Sequence, residues 1–150
     1  MKQKFSGLWL LLAACLFSVA FTGCSSQGDD EDDASFKTRE YIVGIGKWSM
    51  TQVKGADGTW AYDEKKNFTL EFFGKYNGVS KVKIWENFDG NGEQLHEGTY
   101  TVDGNVVNCE VNNQQFMRFD ITLQQSNELG GKVTFYQKNL SFEVKMDRTW

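Results

Sequence analysis

Phe116-Met117-Arg118-Phe119-Asp120-Ile121-Thr122-Leu123 sets Met117, Phe119, Ile121 and Leu123 on one side of the chain and Arg118, Asp120 and Thr122 on the other. Successive side chains of an extended chain point to opposite faces, so a period of two marks a strand with one dry and one wet face. The same period runs outward in both directions. Downstream, Leu140, Phe142, Val144 and Met146 oppose Ser141, Glu143 and Lys145. Upstream, Val107, Cys109 and Val111 oppose Asn108 and Glu110; Tyr100 goes with Val102, Val82 with Ile84, and Phe68 with Leu70 and Phe72. No ten-residue window carries a convincing helical stripe.

Turn-forming residues separate these runs. Asp103-Gly104 is a two-residue hairpin signal, because a type I′ turn needs positive φ, and Lys138-Asn139 reads as a second. Gly74–Gly78, Asn87–Gln94, Asn112–Gln114 and Gln125–Gly131 are longer but still hairpin-sized. Short connections make consecutive strands pair antiparallel. With Ile42–Val53 as the first strand and Val133–Tyr136 as the seventh, the count reaches eight. The expected fold is all-β: an eight-stranded antiparallel up-and-down β-barrel, closed so that no edge is exposed. A β-sandwich would use the same alternation.

The chain upstream has another purpose. Lys2 and Lys4 precede an almost wholly apolar run, Leu8 to Phe21, too short for a comfortable span and suited to a signal peptide. It ends Phe21-Thr22-Gly23-Cys24, which resembles the lipobox of bacterial lipoproteins. That resemblance implies cleavage before Cys24 and acylation of its thiol. Leu12-Ala13-Ala14-Cys15 also fits by residue type, but cleavage there would leave Leu16–Phe21 as an apolar stub, so Cys24 is the expected site. The implied domains are a signal peptide over 1–23, a lipidated cysteine with a disordered acidic linker over 24–39, and the barrel over 40–150.

Asp29-Asp30-Glu31-Asp32-Asp33 is a run of five acids, which self-repel and stay extended. It resembles the signal by which some Gram-negative gut anaerobes send lipoproteins to the outer leaflet of the outer membrane; the plain alternative is a solvated spacer. The expected location is therefore the outer membrane, lipid-anchored at the cell surface.

Composition narrows the chemistry. The 150-residue chain is 40% hydrophobic and 15% aromatic, enough for one globular domain. Its net charge of −4 becomes −6 once Lys2 and Lys4 are removed. From Ala34 on, 14 basic residues face 15 acidic ones, so the folded domain is nearly neutral. A pI near 5.0 argues against nucleic acid, which needs a basic face. With one histidine, His96, and no catalytic motif around it, neither an enzyme nor a resident metal or cofactor is expected.

Gly46-Lys47-Trp48 opens the first strand and resembles the Gly-x-Trp signature of the lipocalin superfamily. Asn67–Phe73 and Gly98–Val102 also resemble strands of small lipocalin-like domains in bacterial outer-membrane lipoproteins. The resemblance spans roughly residues 41–150. It implies a glycine passing close to a neighbouring strand, a tryptophan plugging one end, and a lid at Lys54–Lys66 over the other. The domain is short for a lipocalin, and no C-terminal helix is visible.

Two functions follow as expectations. The resemblance implies a small apolar or amphipathic ligand inside the barrel, met by Trp48, Trp60, Tyr62, Phe72, His96, Tyr100 and Phe119. The alternative is a barrel filled by Trp48, Phe68, Phe72, Phe119, Phe135 and Phe142. Such a barrel would present its loops to a glycan, an envelope protein or a host factor, including a hydrolase to be inhibited. His96 falls inward by alternation near a mouth, as a polar ligand contact or an ordinary loop residue. Trp60, Tyr62, Tyr76, Trp85 and Trp150 are candidates for stacking on sugar rings, or for lid packing and cross-strand pairing. Asp89-Gly90-Asn91-Gly92-Glu93 offers oxygen ligands but reads foremost as a hairpin loop. Cys109 reads as a buried, unpaired thiol.

Overall fold

A computed structural model describes residues 32–43 and 46–150. Among the described residues one α-helix, α1 (Asp33–Ile42), precedes nine strands: β1 (Lys47–Lys54), β2 (Trp60–Ala61), β3 (Phe68–Phe72), β4 (Lys81–Glu86), β5 (Gln94–Asp103), β6 (Val106–Val111), β7 (Gln114–Gln125), β8 (Glu128–Phe135) and β9 (Leu140–Thr149), with a single 3-10 turn at Glu64–Lys66. Each long strand pairs antiparallel with its neighbour from β3 to β9, and β1 pairs with both β3 and β9. This closes an eight-stranded up-and-down barrel with lipocalin-like architecture, and β2 is an added two-residue strand folded back along β1. Closure, rather than a sandwich, rests on the pairing of Trp48 with Arg148 and of Val53 with Val144.

The core is the dry face that alternation predicts. Leu70, Ile84, Val107, Cys109, Met117, Phe119, Leu129, Val133, Val144 and Met146 are all fully buried. Three bulges adjust that pattern. One, where Cys109 faces Met117 but Glu110 faces Gln115, leaves Phe116 as an extra residue in β7. Phe116 and Met117 are consequently both buried, although strict alternation put Phe116 outside. Another, between Ile121 and Leu123, leaves Leu123 half-buried instead of in the core.

The turns differ in detail from expectation. Gly104-Asn105 is the β5–β6 loop, and only Gly104 has positive φ (60°), the pattern of type II′ rather than I′. The I′ pattern, two successive positive φ values, occurs instead at Asn112-Asn113 (53° and 59°). Residues 125–131 are not a long loop. β7 and β8 run to a tight turn at Ser126-Asn127, and Gly130 and Gly131 lie inside β8. These glycines serve close approach, not a turn: a Cβ on Gly131 would run into the Asp120 carbonyl on β7.

The N-terminal boundary is the main correction. Residues 33–39 fall in the expected disordered linker and Ile42 in the expected first strand, yet both belong to α1. Asp32 caps the helix by accepting from Ser35 N (2.8 Å), and Asp33 and Arg39 suit the two ends of its dipole. The buried positions are Ser35, Thr38 and Ile42, a helical spacing with two polar members. A search for apolar periodicity passes over such a helix. The expected signal peptide over 1–23, the expected lipidation site Cys24 and residues 25–31 lie outside the described residues.

Candidate functional site

The barrel has a helix end, where β1 begins and β9 finishes, and a far end. At the helix end α1 lies across the opening and is fastened by polar contacts. Gly104 N donates to Ser35 Oγ (2.6 Å), Gln124 Nε2 to Thr38 Oγ1 (3.2 Å) and Tyr41 Oη to Glu128 O (2.7 Å). Trp48 is 1% exposed and donates its Nε1 to Ile42 O (2.9 Å). Its ring lies between Tyr41 (5.5 Å between centroids) and the Arg148 guanidinium (4.6 Å), and Arg148 in turn donates to Tyr41 O (2.7 Å). Gly46 just before it has φ 115°, and a Cβ there would collide with Thr149 O. Trp48 therefore fills this end of the barrel.

The far end holds most of the remaining chemistry. Glu86 ends β4 with its side chain inside the barrel, and the residue is 2% exposed. Its Oε1 accepts from His96 Nε2 (3.1 Å) and its Oε2 from Phe88 N (2.9 Å). Lys138 Nζ stands 4.0 Å from Oε1 and donates to Asp89 Oδ2 (2.6 Å), a bond that raises the Lys138 pKa. A buried carboxylate is costly unless paired, and these contacts offset that cost. The His96 ring packs on Phe116, 4.6 Å between centroids. The residue alternation missed is thus Glu86, although Ser80, Val82, Ile84 and Glu86 share one phase and the signal was present.

Phenyl rings occupy the lumen beside this carboxylate. Phe68 on β3 touches Phe135 on β8 (5.1 Å) and Phe142 on β9 (6.1 Å). β3 and β8 are separated by β1 and β9 around the wall, so the first contact spans the interior. Phe88, carried by the β4–β5 loop, lies on Phe135 (4.8 Å) and Phe68 (6.3 Å). Edge-on packing among these rings adds to their burial. A hollow of about 460 Å³ lies on the outer wall, along Phe73, Lys81, Lys83, Glu97 and Thr99.

The seven residues expected to meet a ligand do not converge. Phe72 and Tyr100 form an edge-to-face pair (5.1 Å) toward the helix end, where Tyr100 Oη donates to Phe73 O (2.8 Å) and burial raises its pKa. Phe119 is in mid-barrel, between Val107 and Val133. His96 is at the far end and Trp48 at the helix end. Trp60 lies outside the wall with Lys145 Nζ 4.7 Å over its ring, and Tyr62 is exposed. Residues 54–66 thus place neither aromatic in the lumen; the ring that covers the far opening is Phe88.

No family model and no curated protein matches the chain. Among the described residues no three His, Cys, Asp or Glu side chains are grouped to hold a metal. In the Asp89–Glu93 loop Asp89 is engaged by Lys138, and Asn87 Oδ1 accepts from Gly92 N (3.1 Å). Cys109 is fully buried, and desolvation pushes its thiol well above the ordinary range. Trp85 lies on the outer wall beneath Lys47 Nζ (3.9 Å).

Proposed function

We propose that this chain is a lipid-anchored lipoprotein of a Gram-negative outer membrane, held through Cys24 and displayed at the cell surface. In this reading its lipocalin-like barrel is filled and works as a non-catalytic interaction module. The observation that carries the reading is the Phe68–Phe135 contact across the lumen. A carrier of small apolar molecules needs an interior of a few hundred Å³, on the order of a ligand's own volume. Here rings from strands three apart around the wall occupy that place. The order of charged, apolar and small residues before Cys24 supports the anchor, and the acidic run supports display.

Partner recognition then belongs to the loops. The far end carries Tyr62, Leu95 and Tyr136 as exposed apolar residues, and its loops carry the Lys138–Asp89 pair. Aromatic residues with polar tips suit a glycan or a protein partner. A photo-crosslinking residue at Tyr136 in the intact lipoprotein, irradiated on whole cells, should give a discrete adduct. A crosslinker on the wall at Glu110 should not. Equal labelling at both positions, or none at Tyr136, would count against a partner at this end. In parallel, Cys24→Ala should release the protein from membranes and Cys15→Ala should not.

A further inference from the structure

Exposed large apolar side chains gather at the helix end. Phe36 projects from α1; Phe73, Tyr76 and Val79 come from the β3–β4 hairpin; Trp150 follows β9. Tyr76 and Trp150 are 78% and 83% exposed. The hairpin holds Tyr76 out rigidly. Tyr76 and Val79 exchange two backbone bonds (2.9 and 3.0 Å) across Asn77-Gly78, whose φ values of 50° and 77° fit a type I′ turn. Tyrosine and tryptophan with an apolar body and a polar tip are the residues that settle at a lipid–water interface.

Chain length points to the same surface. Seven residues, 25–31, separate Cys24 from Asp32 at the start of the folded unit, a reach of about 28 Å at full stretch. A ten-residue strand such as β5 or β9, tilted as in barrels of this size, spans about 25 Å of barrel height. Setting the far end on the bilayer would draw those residues nearly straight along the wall. Setting the helix end on it demands no such extension. Charges at this end are mixed, with Asp32, Asp33, Glu40 and Asp103 beside Lys37 and Lys75, so the attraction is interfacial and aromatic rather than electrostatic.

We infer that the helix end is a membrane-contacting face: Phe36, Tyr76 and Trp150 rest in the lipid interface and turn the Glu86–His96 end away from the bilayer. This rests on the lipid-anchor reading and adds an orientation to it. A single aromatic contact adds little affinity to an acylated cysteine; its effect is to stop the barrel swinging.

The test uses the mature acylated protein in phosphatidylethanolamine–phosphatidylglycerol vesicles, with a nitroxide at Tyr76→Cys, Tyr136→Cys or Glu110→Cys. Buried Cys109 and acylated Cys24 stay unlabelled. Power-saturation measurements should show a severalfold loss of accessibility to a water-soluble nickel chelate at position 76, relative to the unacylated Cys24→Ala protein in solution. Positions 136 and 110 should not change. Unchanged accessibility at 76, or protection at 110 or 136 instead, overturns the orientation while the anchor stands. Failure of the unsubstituted protein to float with vesicles overturns the anchor, and the orientation with it.

Discussion

At the helix end the barrel is shut by backbone and side-chain hydrogen bonds to α1, with Trp48 stacked between Tyr41 and Arg148. At the far end it is shut by phenyl rings around one paired carboxylate, with Phe88 supplied by a loop. The first closure is directional and fixes a segment; the second is a close-packed filling. The difference decides how each end can fail. Loss of a polar contact at the helix end should loosen α1 alone. Loss of a ring at the far end should leave a hole that the barrel wall cannot collapse to fill.

The largest effect should come from Phe135→Ala. Phe135 touches Phe68, Phe88, Phe116 and Phe142, so truncation should cost about 3–5 kcal/mol in urea unfolding. It should also create an apolar cavity able to take up benzene, which the unsubstituted protein should not. A cost near zero would mean the rings are not packed. Next, Glu86→Ala should cost about 3 kcal/mol, because His96 Nε2 and Phe88 N lose their buried acceptor. Its amides near Phe88 should exchange faster while those of α1 do not.

A smaller effect is expected from Trp48→Phe, about 1–2 kcal/mol, from loss of the Ile42 hydrogen bond and part of the Arg148 stacking. Hydrogen exchange should quicken over residues 33–42 and stay unchanged at the far end. Equal acceleration at both ends would erase the distinction between them. The smallest effect concerns Asp32. Its bond to Ser35 lowers its pKa, so its cap is fully present above the ordinary aspartate value and is lost as pH falls through the lowered one. The Ser35 amide resonance should therefore move only in acid, and Asp32→Ala should abolish that titration.

Most of the barrel is legible in the sequence because it depends on a period of two. Phe68–Phe72, Val107–Val111 and Leu140–Met146 place their dry faces as alternation requires. What alternation hides is what breaks it. Phe116 turns inward through a bulge set by the register of β6 against β7, a long-range property. Gly130 and Gly131 resemble turn residues but permit strand contact. Helix α1 buries Ser35 and Thr38 because Gly104 and Gln124 wait to bond them, and no local pattern reveals a distant partner. At the candidate site alternation places His96 inward; Glu86 shares the phase of Val82 and Ile84, but acids are seldom buried, so the pattern alone does not mark it. Phe88 could not be found by periodicity, since a loop delivers it.

The central question is whether the interior is already full. Native mass spectrometry of the protein purified in detergent from the cells that make it asks it most directly. A filled barrel should give the covalent mass of the chain alone; under the proposed anchor, that covalent mass would also count the acyl chains on Cys24. A non-covalent mass that is retained through extraction and lost on denaturation would contradict this. It would mean that Phe88 gives way to a ligand and that the barrel is a carrier.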